Sequence, residues 1–156
     1  LAWTPGVSTL RDDPDGYFHR HLYLGAYPTV PYPENNHTIN PNAWAEEQYM
    51  AYGPLMDAYR GRKWVLTPHC IEVADNQAKA NLFEVPGGWV IPVIFAKDQS
   101  SITVRVTGVA GITDKLRADA LHPGVASPQP VKTRMAGETL ELDVPVHRGC
   151  AMVRLR

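Results

Sequence analysis

The rhythm of hydrophobic and polar positions changes along this chain. In its later part, Ile102, Val104 and Val106 alternate with Thr103, Arg105 and Thr107, and Leu140, Leu142 and Val144 alternate with Glu141 and Asp143. A period of two sends successive side chains to opposite faces of a strand, so each run has one buried and one solvated face and needs a partner sheet. Candidate strands cover residues 63–66, 70–74, 78–84, 88–96, 101–107, 117–121, 131–135, 139–144 and 150–155. Turn residues separate them: Asp75-Asn76, Pro86-Gly87-Gly88, Lys97-Asp98-Gln99, Gly108 to Gly111, His122-Pro123-Gly124, Ala136-Gly137 and His147-Arg148-Gly149. Such spacing is that of a β-sandwich. The run from Trp89 to Phe95 is apolar on both faces. That suits a strand covered by the second sheet on one side and by the preceding part of the chain on the other, which makes one packed body.

The preceding part reads differently. Asp12-Asp13-Pro14-Asp15 offers a capping carboxylate, a proline suited to the first helical turn, and acidic charge at the positive end of the helix dipole. A helix is predicted over residues 14–25; alternation of Phe18, Leu22 and Leu24 keeps a strand as its competitor, and the caps favour the helix. Asn40 and Pro41 open a second helix through Trp44, Tyr49, Met50 and Leu55 to Arg60, with Gly61 as its stop and a kink at Gly53-Pro54. Between the two, Pro28, Pro31, Pro33 and Pro41 impose a stiff, irregular loop. The expected class is mainly β: a short helical segment over residues 1–61, then a β-sandwich over 62–156.

Charge narrows the partners. The 156 residues carry 15 Lys and Arg against 16 Asp and Glu, a formal net charge of −1, so no broad basic field exists to hold nucleic acid or an anionic membrane. No apolar run approaches the roughly 20 residues needed to span a bilayer, and no membrane partner is expected. Two cysteines, Cys70 and Cys150, allow one bridge but no disulfide framework and no four-cysteine metal site, and the compartment stays open. The opening Leu1-Ala2-Trp3 lacks Met and a signal-peptide pattern, so the expectation is a piece of a larger chain, with a processed small protein as the other reading.

Candidate chemistry is sparse. Glu72, Glu84, Glu141 and Asp143 fall on alternating positions and read as solvated strand faces rather than as the paired carboxylates of glycoside cleavage. His19 and His21 lie about 200° apart on a helix and cannot share one ion; His69-Cys70 points to opposite strand faces. No metal and no cofactor is expected. Cys150 beside His147 reads as core filling rather than as a nucleophile, and His122 and His147 as turn structure. Gly108 to Gly111 and Pro86 to Gly88 lack the helix and lysine of a phosphate cradle and read as hairpin turns, while Trp89 and Trp64 read as packing residues. The proline-rich loop offers the one polar cluster suited to sugar hydroxyls: Glu34, Asn35, Asn36 and His37, with Tyr32 nearby as a stacking face. An ordinary turn with local side-chain hydrogen bonds is the competing explanation.

The loop Gly25 to Ile39 (GAYPTVPYPENNHTI), the stretch Tyr52 to Leu66 (YGPLMDAYRGRKWVL), Asn81-Leu82-Phe83, Trp89 to Val93 and the closing Val146 to Val153 follow one another in an order of parts that resembles the C-terminal end of bacterial glycoside-hydrolase-type proteins. There a (β/α)8 catalytic barrel is followed by a Greek-key β-sandwich. The resemblance implies that residues 1–61 are a barrel remnant, far short of the roughly 250 residues a barrel requires. It further implies a non-catalytic accessory domain, with the upstream barrel of the same parent chain as its partner and carbohydrate as ligand, and with no catalytic residue in this piece. Tyr32, Glu34, Asn35, Asn36 and His37 would then be rim contacts to substrate. Helices made to pack on a barrel should leave apolar residues uncovered, with Phe18, Leu22, Trp44 and Met50 as candidates. A self-standing β-sandwich that binds carbohydrate or protein is the alternative.

Overall fold

The computed structural model describes residues 7–28, 43–113 and 115–156. Three helices come first: α1 (Val7–Asp12), α2 (Pro14–Leu24) and α3 (Ala43–Asp57). Eleven strands follow, beginning with β1 (Lys63–Trp64), β2 (Ile71–Val73), β3 (Lys79–Ala80), β4 (Phe83–Val85), β5 (Gly88–Ile94) and β6 (Ser101–Thr107). The remainder are β7 (Ala118–Leu121), β8 (Gln129–Pro130), β9 (Lys132–Ala136), β10 (Thr139–Pro145) and β11 (Ala151–Leu155).

Capping chemistry accounts for α2. The Asp13 carboxylate accepts from Gly16 N–H at 3.0 Å, Pro14 occupies the first turn, and Gly25 closes the helix at φ 60. Gly25 N–H reaches Leu22 O at 3.1 Å and Ala26 N–H reaches His21 O at 2.9 Å, the paired bonds of a Schellman end. The helix therefore prevails over the strand that alternation also allowed. Pro54 lies inside α3, as the sequence predicts, while the residues expected to cap that helix fall outside the described residues.

The strands form two antiparallel sheets. One has seven strands in the order β1-β4-β5-β11-β7-β8, with β3 also on β5; the other has four, in the order β2-β6-β10-β9. All nine strands expected from alternation are present, and β8 is an addition. One expected strand is divided. Residues 79–80 and 83–85 hold a common register on β5 (Lys79 opposite Ile94, Val85 opposite Gly88), interrupted where Asn81 turns its side-chain amide to Tyr23 O at 2.8 Å. The Gly108–Gly111 turn departs from its expected role as a hairpin, because it carries the chain from β6 in the small sheet to β7 in the large one.

Between the sheets lies a core that includes Ile91 and Val93 of β5, Val153 and Leu155 of β11, Val104 and Val106 of β6, and Leu140 and Leu142 of β10. A second core forms on the outer face of the large sheet. There Val90 and Ile94, with Met152, Phe83 and Leu121, meet Phe18, Leu22, Tyr52, Leu55 and Tyr59 of the helical segment. The double-sided apolar run from Trp89 to Phe95 is thus explained by three layers: helices, large sheet, small sheet. Phe18 and Leu22, expected on an uncovered face, are fully buried against that sheet; Trp44 and Met50 do stay exposed, at 41% and 79%. Among the described residues no helix is long and apolar enough to cross a membrane.

Candidate functional site

The end of α2 and the segment that leads into β1 meet the large sheet and leave a groove of about 800 Å³. One wall is the last turn of α2, with Arg20, Tyr23 and Leu24, continuing through Gly25 and Ala26. The facing wall is Arg62 and Trp64, and Lys79, Ile94 and Phe95 complete the lining. Two glycine turns set the walls. Gly25 reverses the chain after α2, and a Cβ there would sit 2.8 Å from Arg62 Nε and 2.9 Å from the Phe83 ring, so glycine is required for the close approach as well as for φ +60. Gly61, at φ +72, turns the chain out of α3 and into β1.

Arg62 is fixed without a carboxylate. Its guanidinium carbon lies 5.0 Å from the centre of the Tyr27 ring and 4.8 Å from that of Tyr59. Tyr59 is itself held, its hydroxyl donating to Ala26 O at 2.9 Å. Trp64 meets Phe83 edge to face at 4.9 Å and keeps half its surface open. Among the described residues the groove lining holds three cations and no acid.

A second polar cluster lies on the inner side of the helices. Arg148 and Gly149 form a two-residue turn with both φ positive, 52 and 70, closed by His147 N–H to Cys150 O at 3.0 Å and the reciprocal bond at 3.1 Å. From that turn Arg148 donates to Asp15 on α2 and to Gln48 on α3, the latter at 2.7 Å, and stacks over Tyr52 at 5.2 Å. Tyr52 OH donates to Asp15 Oδ1 at 2.8 Å. His19 accepts at Nδ1 from Phe95 N–H, which leaves its ring proton on Nε2. Burial pushes His19 down to about 4, against the pull of Asp15, and burial pushes the Cys150 thiol up. Through Arg148 and Tyr52 the cluster ties both helices to the sandwich.

Two further carboxylates are committed to arginines. Glu141 is paired with Arg134 and Arg105, and their hydrogen bonds lower its pKa. Burial alone would raise Asp119, but bonds from Arg154 and Arg156 at 2.6 and 2.7 Å hold it below the usual carboxylate range. Glu72, Glu84 and Asp143 are exposed strand positions, as alternation implies. Among the described residues no group of three His, Cys, Asp or Glu side chains is arranged to hold a metal ion. Cys70 and Cys150 are both buried and unbridged. His122 joins strand ends through a 2.8 Å bond between Nε2 and Pro145 O.

The loop cluster expected to contact ligand, Tyr32, Glu34, Asn35, Asn36 and His37, lies outside the described residues. The groove residues Arg20, Tyr23, Arg62, Trp64 and Lys79 do not appear among the sequence-derived candidates. A signal was present: Arg60-Gly61-Arg62-Lys63-Trp64 combines cations, a turn glycine and an aromatic, and reads from sequence only as a boundary.

No family model matches the chain, and no curated protein matches it. Among solved structures it is similar to the catalytic domain of GH30 xylanase C from Talaromyces cellulolyticus, at 19% identity and a TM-score of 0.38. That similarity takes in 53% of this chain and 18% of the other, so the chain spans less than a fifth of that protein's length.

Proposed function

We propose that this chain is a non-catalytic accessory unit of a glycoside-hydrolase-type protein, which docks on the catalytic barrel through its helical side and borders a saccharide cleft with its groove. One observation carries the reading. The large hydrophobic residues exposed among the described residues are Leu24, Tyr27, Trp44, Met50, Trp64 and Leu66, all within positions 24–66, while the strands from β2 onward bury theirs. Exposed large apolar side chains concentrated in one stretch of a chain that otherwise buries them mark candidate contact positions. Consistent with a supporting role, Asp15, Asp119 and Glu141 are neutralised by arginines rather than presented as an acid and a nucleophile.

The groove begins where Gly25 and Ala26 lead toward the proline-rich loop, and Tyr32 follows Pro28 by only four residues, within about 14 Å of extended chain. Tyr32, Glu34, Asn35, Asn36 and His37 are proposed as further contacts to the same saccharide.

An unsatisfied docking face should make the isolated 156-residue chain self-associate. Sedimentation velocity between about 5 and 200 µM is expected to show concentration-dependent dimers or larger species. The double substitution of Trp44→Gln and Met50→Gln, both on exposed positions of α3, is expected to shift the protein toward monomer. A wild-type chain that stays monomeric across that range removes the docking argument.

A further inference from the structure

The groove is neither neutral nor symmetric in its chemistry. Among the described residues, Arg20, Arg62 and Lys79 contribute three positive charges to the lining, and no carboxylate lines it. Among the described residues Arg62 and Lys79 have no ion pair at all, and Arg20 has only Asp13, at 3.6 Å on the exposed side of α2. Outside the groove Arg11, Lys97, Lys115, Arg117 and Lys132 also lack an ion pair among the described residues, but none of them lines it; three cations converge there. Arg20 Nη1 is buried without a hydrogen-bond partner among those residues. Arg62 is held by ring faces rather than by an anion, which orients a planar fork of donors while leaving it unneutralised.

Resting on the reading of the groove as a saccharide border, we propose that it takes an acidic saccharide, with a sugar carboxylate received by Arg62 and supported by Arg20 and Lys79. Trp64 and Tyr23 supply the apolar faces on which a pyranose ring lies. Charge complementarity selects an anion, and the aromatic surface selects one with a flat apolar side. An acidic peptide fits less well, because the neighbouring edge strand β1 has two residues, too short to bind extended backbone by adding a strand.

Isothermal titration of the 156-residue chain with tetragalacturonic acid, its carboxyl-reduced neutral counterpart and a poly-glutamate of matched charge tests this. The acidic sugar is expected to bind about tenfold or more tightly than the neutral one at low ionic strength, with the advantage shrinking toward 0.5 M salt. Arg62→Gln and Lys79→Gln should each remove most of that advantage while leaving the neutral sugar's affinity in place; Trp64→Ala should weaken both sugars. Lys79 is exposed, so its substitution reports on charge even if Arg62→Gln lowers stability. Equal affinity for the two sugars overturns the acidic preference and leaves the saccharide border standing. Binding of neither sugar overturns both. Poly-glutamate bound as tightly as the acidic sugar overturns the saccharide class.

Discussion

His19 is a titratable ring enclosed between α2 and the end of β5, with Phe95 N–H on its Nδ1 and the Phe95 ring 5.3 Å away. Burial sets its folded pKa near 4, with Asp15 and Asp13 pulling upward and the Arg148 charge downward, against 6.5 for the free side chain. A base with a depressed folded pKa binds fewer protons in the native state than in the unfolded one, so its neutral burial is fully tolerated above pH 6.5. Stability is then lost as pH falls from 6.5 to 4, with a ceiling of about 3 kcal/mol at 1.36 kcal/mol per unit. Urea denaturation at pH 7 and pH 5 is expected to show a loss of about 2 kcal/mol in the wild type. His19→Gln should have a smaller pH slope whatever its stability at pH 7, and equal slopes would assign the acid sensitivity elsewhere. Sequence reasoning separated His19 from His21 by helical angle and so rejected a shared metal. Asp15, four residues earlier on the same helix, is within reach of sequence reasoning, but Arg148, 129 positions later, is not.

Local chemistry at element ends sets where the elements of this fold stop and how closely they approach. The turn Pro86-Gly87-Gly88 illustrates it. Gly87, at φ +87, has open space around a hypothetical Cβ, whereas a Cβ on Gly88 would lie 2.0 Å from the backbone oxygen of Leu155 in β11. Gly87→Ala should cost only the positive φ, about 1–2 kcal/mol. Gly88→Ala must also separate β5 from β11 and should cost at least about 2 kcal/mol more, read as the difference in urea midpoints. Equal costs would mean the sheet edge yields freely there. From sequence the two glycines are indistinguishable punctuation, since the approach of β11 is a long-range fact. Alternation located β6 to within its own seven residues because both of its faces are simple, one core and one solvent. Alternation alone could not show that Asn81 breaks the 78–84 run. That break depends on a partner, Tyr23 O, on α2.

At the scale of the whole molecule, the change of texture at Gly61 and the three-layer architecture pull in different directions. Composition separates helical from strand-rich sequence there, yet the outer face of the large sheet has the helices as its cover. Phe83, Val90, Ile94 and Met152 are each 1% exposed or less, and their neighbours on that face are Phe18, Leu22, Tyr52, Leu55 and Tyr59. The apolar double face of Trp89 to Phe95 carried this arrangement in the sequence; the groove was not legible, because its cations and aromatics come from four separate stretches of the chain. A chain limited to residues 62–156 would expose that whole face to water and lose the Arg148 ties to Asp15 and Gln48. Burial of four such side chains is worth on the order of 6–12 kcal/mol, comparable to the entire stability of a domain this size. The truncated chain is therefore expected to bind a hydrophobic dye strongly and to aggregate, and supplying residues 1–61 as a separate polypeptide should suppress both. A monomeric, dye-negative fragment with dispersed amide NMR signals would show instead that the sandwich stands alone and the helices are an appendage.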